Sequence, residues 1–267
     1  MPRRSDKIVT ALAVVIEVGL LVVAERRSPA RIPLERGSAR LRRNGVIAAL
    51  ALAMTGVLET PISERVATLA AKRGWGVIPR LPLPRGMRRV VAVVALDYGI
   101  YAWHAALHRV PFLWRLHIVH HADRECDLGT ALRIHVADIV LSTFVRGVQI
   151  VALGITPGDF TVWQRLFGLS VFFHHANVAL PASVERLLGY LIMTPRRHGI
   201  HHLPEREQQR GNLSSGLILW DWLHGTLRDG DASRRVGLPG YRADADVTLR
   251  KMLALPFVRQ RDPWQPG

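Results

Sequence analysis

Five apolar runs divide this 267-residue chain, at 8–24, 44–62, 90–108, 136–155 and 160–180, with arginine clusters between several of them. At 1.5 Å per residue such runs measure about 25–32 Å, close to the thickness of a hydrocarbon core. In lipid every backbone polar group must be bonded within the chain, and unbroken runs of this length meet that demand as helices. The expected architecture is all-α: a polytopic integral-membrane protein of about four to five membrane helices, with a helical cap on the cytoplasmic side. The chain is 49% hydrophobic, yet its formal net charge is +15. In a soluble protein that charge suggests nucleic acid. Arginines clustered between apolar stretches instead mark basic loops facing anionic lipid, so no nucleic-acid partner is expected. The single cysteine, Cys126, excludes an intramolecular disulfide and thiolate metal clusters.

The first run carries Glu17 and follows Arg3, Arg4 and Lys7. A signal peptide ending at Val22-Val23-Ala24 competes with a membrane helix there. Residues 25–43 hold seven Arg and two Glu and resist translocation, which favours an uncleaved helix ending in the cytoplasm. Residues 63–89 mix an amphipathic piece with the turn-rich KRGWGVIPRLPLPRG. The last two runs are joined by Thr156-Pro157-Gly158-Asp159, a tight turn, and form a helical hairpin. Two crossings return the chain to the side it left, so histidines before and after the hairpin face one compartment. Loop 72–89, with six basic residues and no acid, falls on the wrong side for that orientation. Three regions are expected: N-terminal membrane helices and basic loops over 1–89, a histidine-rich domain over 90–228, and a polar tail over 229–267.

Histidine is the unusual residue. WRLHIVHH places His117, His120 and His121 in an H-x-x-H-H box, and RRHGIHH repeats it with His198, His201 and His202. His104 and His108 form an H-x-x-x-H pair. Residues i, i+3 and i+4 share a helix face, so each box points its imidazoles one way. Eight imidazoles suit two metals, and uncompensated burial of so many polar rings is costly. The ring nitrogens suit Zn, Fe, Cu or Ni and disfavour Ca and Mg. Taken singly, His135, His174 and His224 are read as interfacial or hydrogen-bonded residues. Asp97, an acid within an apolar run, and Asp221 are candidates to orient imidazoles.

Together DYGIYAWHAALH, LWRLHIVHHADRECDLGTALRIH, FHHANV and TPRRHGIHH with GNLSSGLILWDWLHGTLR resemble the sterol desaturase / fatty acid hydroxylase superfamily over roughly residues 90–228. The resemblance implies a membrane-bound non-haem di-iron enzyme that uses O2 and electrons to hydroxylate or desaturate a lipid C–H bond. It implies as ligands the eight boxed histidines, and His175 as a ninth through its H-A-N motif with Asn177. His174 takes a position commonly filled by Gln and is incidental. Arg133 and His135 belong to a family segment in which Val136 here replaces Pro. His224 stands where an aromatic is usual and is not read as a ligand. After the last box Asn212-Leu213-Ser214 lacks the family's aromatic and glycine. Supporting roles around the metals are expected for Asp97, Arg133, His135, Asn177, Asn212 and Asp221. No flavin, haem or Fe–S motif is present, so a separate reductase, ferredoxin or cytochrome supplies electrons. The expected location is a bacterial inner membrane with the boxes facing the cytoplasm. Two alternatives remain: a pterin-dependent ether-lipid monooxygenase, and a membrane metal transporter or sensor without redox chemistry.

Overall fold

Among the residues described by the computed structural model, 4–35 and 37–265, regular structure is helical apart from two isolated bridge pairs, Pro29–Val178 and Ile192–Leu217. Arg3 and Arg36 of the basic clusters lie outside the described residues. Helix α1 (Arg4–Arg27) covers the first apolar run and exposes Leu12, Val15, Ile16 and Leu20. Its C-terminal end is tied down, because a Glu25 carboxylate oxygen accepts from the backbone N–H groups of Leu128 (3.0 Å) and Asn177 (2.8 Å).

The second run extends further than its apolar residues suggest. Helix α2 (Ser38–Met54) passes through a π-helical turn, Thr55–Glu59, directly into α3 (Thr60–Arg73). Pro61 supplies a physical reason. It lacks an N–H and its ring crowds the carbonyl one turn back, and widening that turn relieves the clash without ending the helix. Gly74, in a left-handed conformation, then stops α3.

Helix α4 (Arg85–Arg109) returns, and Val110 adopts the extended backbone that Pro111 demands before starting α5 (Pro111–His121). The single turn α6 (Leu128–Ala131) leads to α7 (Val136–Leu153) and α8 (Pro157–His175). The tight turn between them is capped by Thr156, whose Oγ1 accepts from Asp159 N. Among the described residues three stretches are long and apolar enough to cross a membrane: Ser38–Arg80, Arg85–Arg109 and Val136–Leu153. Helix α8 is not among them, since it carries Gln164, Arg165 and two histidines.

The α3–α4 and α7–α8 connections touch at the end away from the histidines. A Cβ on Gly76 would lie 2.0 Å from Gly154 N, and one on Gly154 would lie 2.3 Å from Trp75 O, so both connections need glycine to touch. Around this end Ala67, Ala70, Leu96, Ile150, Phe160 and Trp163 form a core. The basic loop 72–89 sits here too, with Arg89 paired to Asp159 at 3.0 Å. The opposite end carries the short helices α9 (Ala182–Leu188), α10 (Pro195–His201), α11 (Arg206–Gln209), α12 (Leu219–His224) and α13 (Leu249–Ala254). The expected polar tail is packed rather than loose. Leu238, Tyr241, Val247, Met252 and Leu255 bury against Trp114, Ile118 and Val119 of α5, which places a core beneath the first box.

Candidate metal centre

Each histidine reaches the centre from a helix end. His104 and His108 lie in the last two turns of α4, His117, His120 and His121 in α5, and His174 and His175 close α8. His198 and His201 lie on α10, with His202 as its C-cap. Thr194 starts α10 by accepting from Arg197 N, and Pro195 takes the first helical position.

The nine candidate ligands converge as two groups, His104, His108, His117, His121 and His201 in one, and His120, His175, His198 and His202 in the other. Within each group the nitrogens that can bind a metal lie within 4.8 Å of one another. The boxes do not each build one site, as a shared face alone would suggest. Each divides: positions i and i+4 serve one group and i+3 serves the other. Around a helix, i+3 falls about 60° to one side of i and i+4 about 40° to the other. A helix lying between two sites therefore feeds both, and the repeated H-x-x-H-H is the pattern that does so twice.

The nitrogens have been sorted by hydrogen bonds. His104 Nδ1 donates to Leu213 O, His175 Nδ1 to Val171 O and His201 Nδ1 to Gly211 O, each at 2.8 Å. In a neutral ring this leaves Nε2 as a bare lone pair aimed inward. His175 Nε2 is faced by His120 Nε2 at 3.2 Å and by His198 Nε2 at 3.0 Å, and His198 Nε2 by His202 Nε2 at 3.2 Å. One lone pair accepts one hydrogen bond, so these contacts cannot all be hydrogen bonds. A cation among them satisfies every one. With metal–imidazole bonds of about 2.1 Å, ligands at right angles stand about 3.0 Å apart. His121, with both nitrogens unpartnered, and His201 Nε2 are equally unsatisfied in the other group.

Charge follows the same logic. Burial first, and neighbouring imidazoles second, hold His120, His121, His198 and His202 well below the ordinary histidine pKa. His201 is lowered to about 3, mainly by burial. Rings shifted this way favour the neutral state, the one that binds metal. A set made only of nitrogen donors fits iron, zinc or copper and not calcium or magnesium.

The expected supporting residues act at a distance or elsewhere. Asp97 accepts from Trp220 Nε1 (2.7 Å) and Leu217 N (3.0 Å), so its hydrogen bonds tie α4 to the 217–220 segment rather than orient an imidazole. Asp221 accepts from Leu213 N and Ser214 N, both at 2.9 Å, and from Thr226 Oγ1. It thus fixes the loop whose Leu213 carbonyl receives His104. Arg133 is fully buried and donates to Val119 O at 2.7 Å, closing the last turn of α5. His135 is the N-cap of α7, its Nδ1 accepting from Ala137 N and its Nε2 bonded to Leu253 O. Asn177 clasps the Arg31 backbone through both amide atoms. Asn212, in a left-handed conformation (φ 51°), joins Arg197 O to the Arg228 backbone. His174 lies outside both groups, its ring 4.3 Å from that of His198, and His224 stacks on Tyr98 and Tyr101.

Sequence reasoning missed Asp138, whose Oδ2 lies 3.6 Å from His117 Nδ1 and whose Oδ1 accepts from Trp103 Nε1. Its signal was available: like Asp97, it is an acid inside an apolar run. The carbonyls of Gly211 and Leu213 carried no sequence signal, because every residue has one.

Both groups open onto one cavity of about 310 Å³ between α2, α4, α7 and α8. His104, His117, His120, His175 and His198 form its inner end, and Ile100, Leu107, Ile139, Phe167 and Val171 line its length.

An all-helical membrane fold with two histidine-only groups, each able to hold a metal ion, at one end of a largely apolar cavity defines the class as a membrane histidine-box protein. Residues 89–226, slightly more than half of the chain, match the fatty acid hydroxylase family, and the chain belongs to that family. It is 31% identical over 138 residues to human (Homo sapiens) alkylglycerol monooxygenase, covering 51% of this chain and 29% of that protein. It is 25% identical over 179 residues to the ornithine lipid hydroxylase OlsE of Rhizobium tropici (66% and 52%), and 27% over 150 residues to Rattus norvegicus cholesterol 25-hydroxylase (55% and 49%). The matched segments thus span about half or less of these relatives. No solved structure matches.

Proposed function

We propose that this protein is a membrane-bound, O2-dependent hydroxylase or desaturase of a lipid, with one iron ion in each imidazole group. The observation that carries the reading is one largely apolar cavity that ends on histidines of both groups. His104, His108, His117, His121 and His201 would hold one iron, and His120, His175, His198 and His202 the other. When bound, the iron pair supplies O2 activation and oxidation of a C–H bond. The chain's own residues do the rest. Leu213, Gly211 and Val171 carbonyls fix the ring tautomers. Apolar side chains from α4, α7 and α8 hold an alkyl chain and exclude water, which stops oxidising equivalents from being lost to solvent.

A separate donor protein would supply the electrons that O2 reduction requires. Placing the histidine end in the cytoplasm agrees with the arginines beside it: Arg40 pairs with Asp123 and Asp127 just after the first box. The relatives' named substrates, an alkylglycerol, an ornithine lipid and cholesterol, share an apolar body with a polar end.

The test is anaerobic purification of the full-length protein from membranes, metal analysis, and incubation with 18O2, a reductant and a total lipid extract. Iron in both groups and a lipid gaining one 18O atom, or losing two hydrogens, is expected. Metal-free protein after iron reconstitution sinks the reading. The identity to alkylglycerol monooxygenase favours one second reading, an ether-lipid monooxygenase. Turnover of an alkylglycerol only when a tetrahydropterin is added would establish it.

A further inference from the structure

The cavity is not apolar throughout. Asp138, Ser142 and Arg146 line it from α7 at four-residue spacing, so they share a helix face. Asp138 marks the histidine end through His117. Arg146 lies eight residues further, about 12 Å along the helix axis, roughly the length of a ten-carbon extended chain. Opposite, Trp163 and Gln164 of α8 and Thr55 and Glu59 of the π-helical turn complete this end.

Arg146 is 5% exposed, in a stretch apolar enough to cross a membrane. Its Nη1 donates to Gln149 Oε1 at 3.1 Å, its guanidinium lies 4.2 Å from the Trp163 ring centroid, and its Nε has no partner. Glu59 is within electrostatic reach of Arg146 and bonds Thr55, yet no ion pair joins the two. An arginine buried for stability alone would be expected to pair directly with a glutamate this near, because its uncompensated burial is costly. Here both line a cavity, and Arg146 leaves its Nε unpartnered.

We propose that Arg146 and Glu59 form a subsite for a neutral end group of the substrate that both donates and accepts hydrogen bonds, a hydroxyl in its simplest form. An anion there would meet Glu59, and a cation would meet Arg146; a hydroxyl accepts from the guanidinium and donates to the carboxylate. Anchoring that end sets which carbon lies at the histidines, so the subsite is a ruler as well as a clamp. The inference rests on the lipid-oxidation reading and specifies its substrate class: an alkyl lipid with a hydroxyl roughly ten carbons from the oxidised position.

The test uses the iron-loaded, full-length protein in detergent and measures retention of labelled 1-dodecanol, dodecanoate and n-dodecane. Arg146→Met is expected to lower dodecanol retention about tenfold, the effect of losing a charge-assisted hydrogen bond, with dodecane retention and iron content unchanged. Glu59→Gln keeps the shape and removes an anion, so it is expected to raise dodecanoate relative to dodecanol. An unchanged dodecanol preference in Arg146→Met overturns the subsite. So does tighter binding of dodecanoate than dodecanol by the wild type. Should Arg146→Met fail to fold, an unchanged dodecanol-to-dodecanoate ratio in Glu59→Gln does the same. A wild type that binds no iron but retains dodecanol through Arg146 would instead refute the oxidation reading and leave the subsite standing.

Discussion

Two buried polar clusters sit on either side of the C-terminal end of α5, and they are built on opposite principles. On one side Asp123, fully buried, receives Arg40, Asn44 and Thr130, and Arg133 donates to Asn44 and Val119. Charges of opposite sign close on one another there, and the Arg40 guanidinium beside it holds Asp123 well below the usual carboxylate range. On the other side nine imidazoles face one another with like atoms in contact and many ring nitrogens unpartnered. The first cluster pairs its charges, leaving Arg133 Nη2 without a partner, and joins α2 to the box-bearing helix. The second is complete only with cations. Burial of polar residues therefore does not mark a functional site by itself; unsatisfied burial of one chemical type does.

Removing the hub of the charge-paired cluster has the largest effect on folding. Asp123→Ala leaves Arg40 without its central partner, and breaking a buried pair this way costs about 3–5 kcal/mol. Thermal denaturation in detergent should show a large drop whether or not metal is present. A melting temperature equal to wild type would mean the network is not the scaffold described here.

Ligand changes should behave in the reverse manner. His201→Ala removes a nitrogen from the five-membered group and His202→Ala one from the four-membered group. Each should lower bound metal by up to one ion per chain, and the double variant should lose both. The metal-free variants should lose less stability than Asp123→Ala does, because an unpartnered buried nitrogen leaves with each ring and offsets part of the lost packing and, for His201, of the lost bond to Gly211 O. Loss of both metals from His201→Ala alone would show that the groups are one site rather than two.

Acid separates the clusters by pH window. His201 has a folded pKa of about 3 against an ordinary 6.5. Below pH 6.5 the unfolded chain takes up protons that the folded one refuses, so metal-free stability falls as the pH drops from 6.5 towards 3, by up to about 1.4 kcal/mol per pH unit for each such ring. Asp123 is depressed below the ordinary 3.8. Its contribution is present above that value and is lost only below it. Melting metal-free protein at pH 7.5 and 5.5 should show a marked decline, shallower in His201→Ala. A flat profile would contradict neutral, buried rings.

How much of this was readable beforehand depended on range. The boxes, the helical spans and the hairpin at Thr156–Asp159 are local patterns, and local periodicity dictates them. The division of each box between two groups was not legible, since it depends on where the partner helices stand. Asp123 and Arg40 are 83 positions apart, and a pairing at that separation leaves no trace in spacing. The continuous helix from Ser38 through Pro61 was also hidden, because proline usually signals an end and the π turn that accommodates it forms only in place.

The smallest expected effect decides what His135 is. Its place beside Arg133 suggests a part in the metal centre, but its two nitrogens are engaged by Ala137 N and Leu253 O, and it belongs to neither imidazole group. As an N-cap it contributes about 1 kcal/mol, which His135→Ala should remove and His135→Asn, a good capping residue, should largely retain. Metal content should be unchanged in both variants. A melting loss confined to alanine identifies a cap. Equal losses in both, accompanied by loss of metal, would place His135 in the metal centre and extend the unsatisfied cluster to the start of α7.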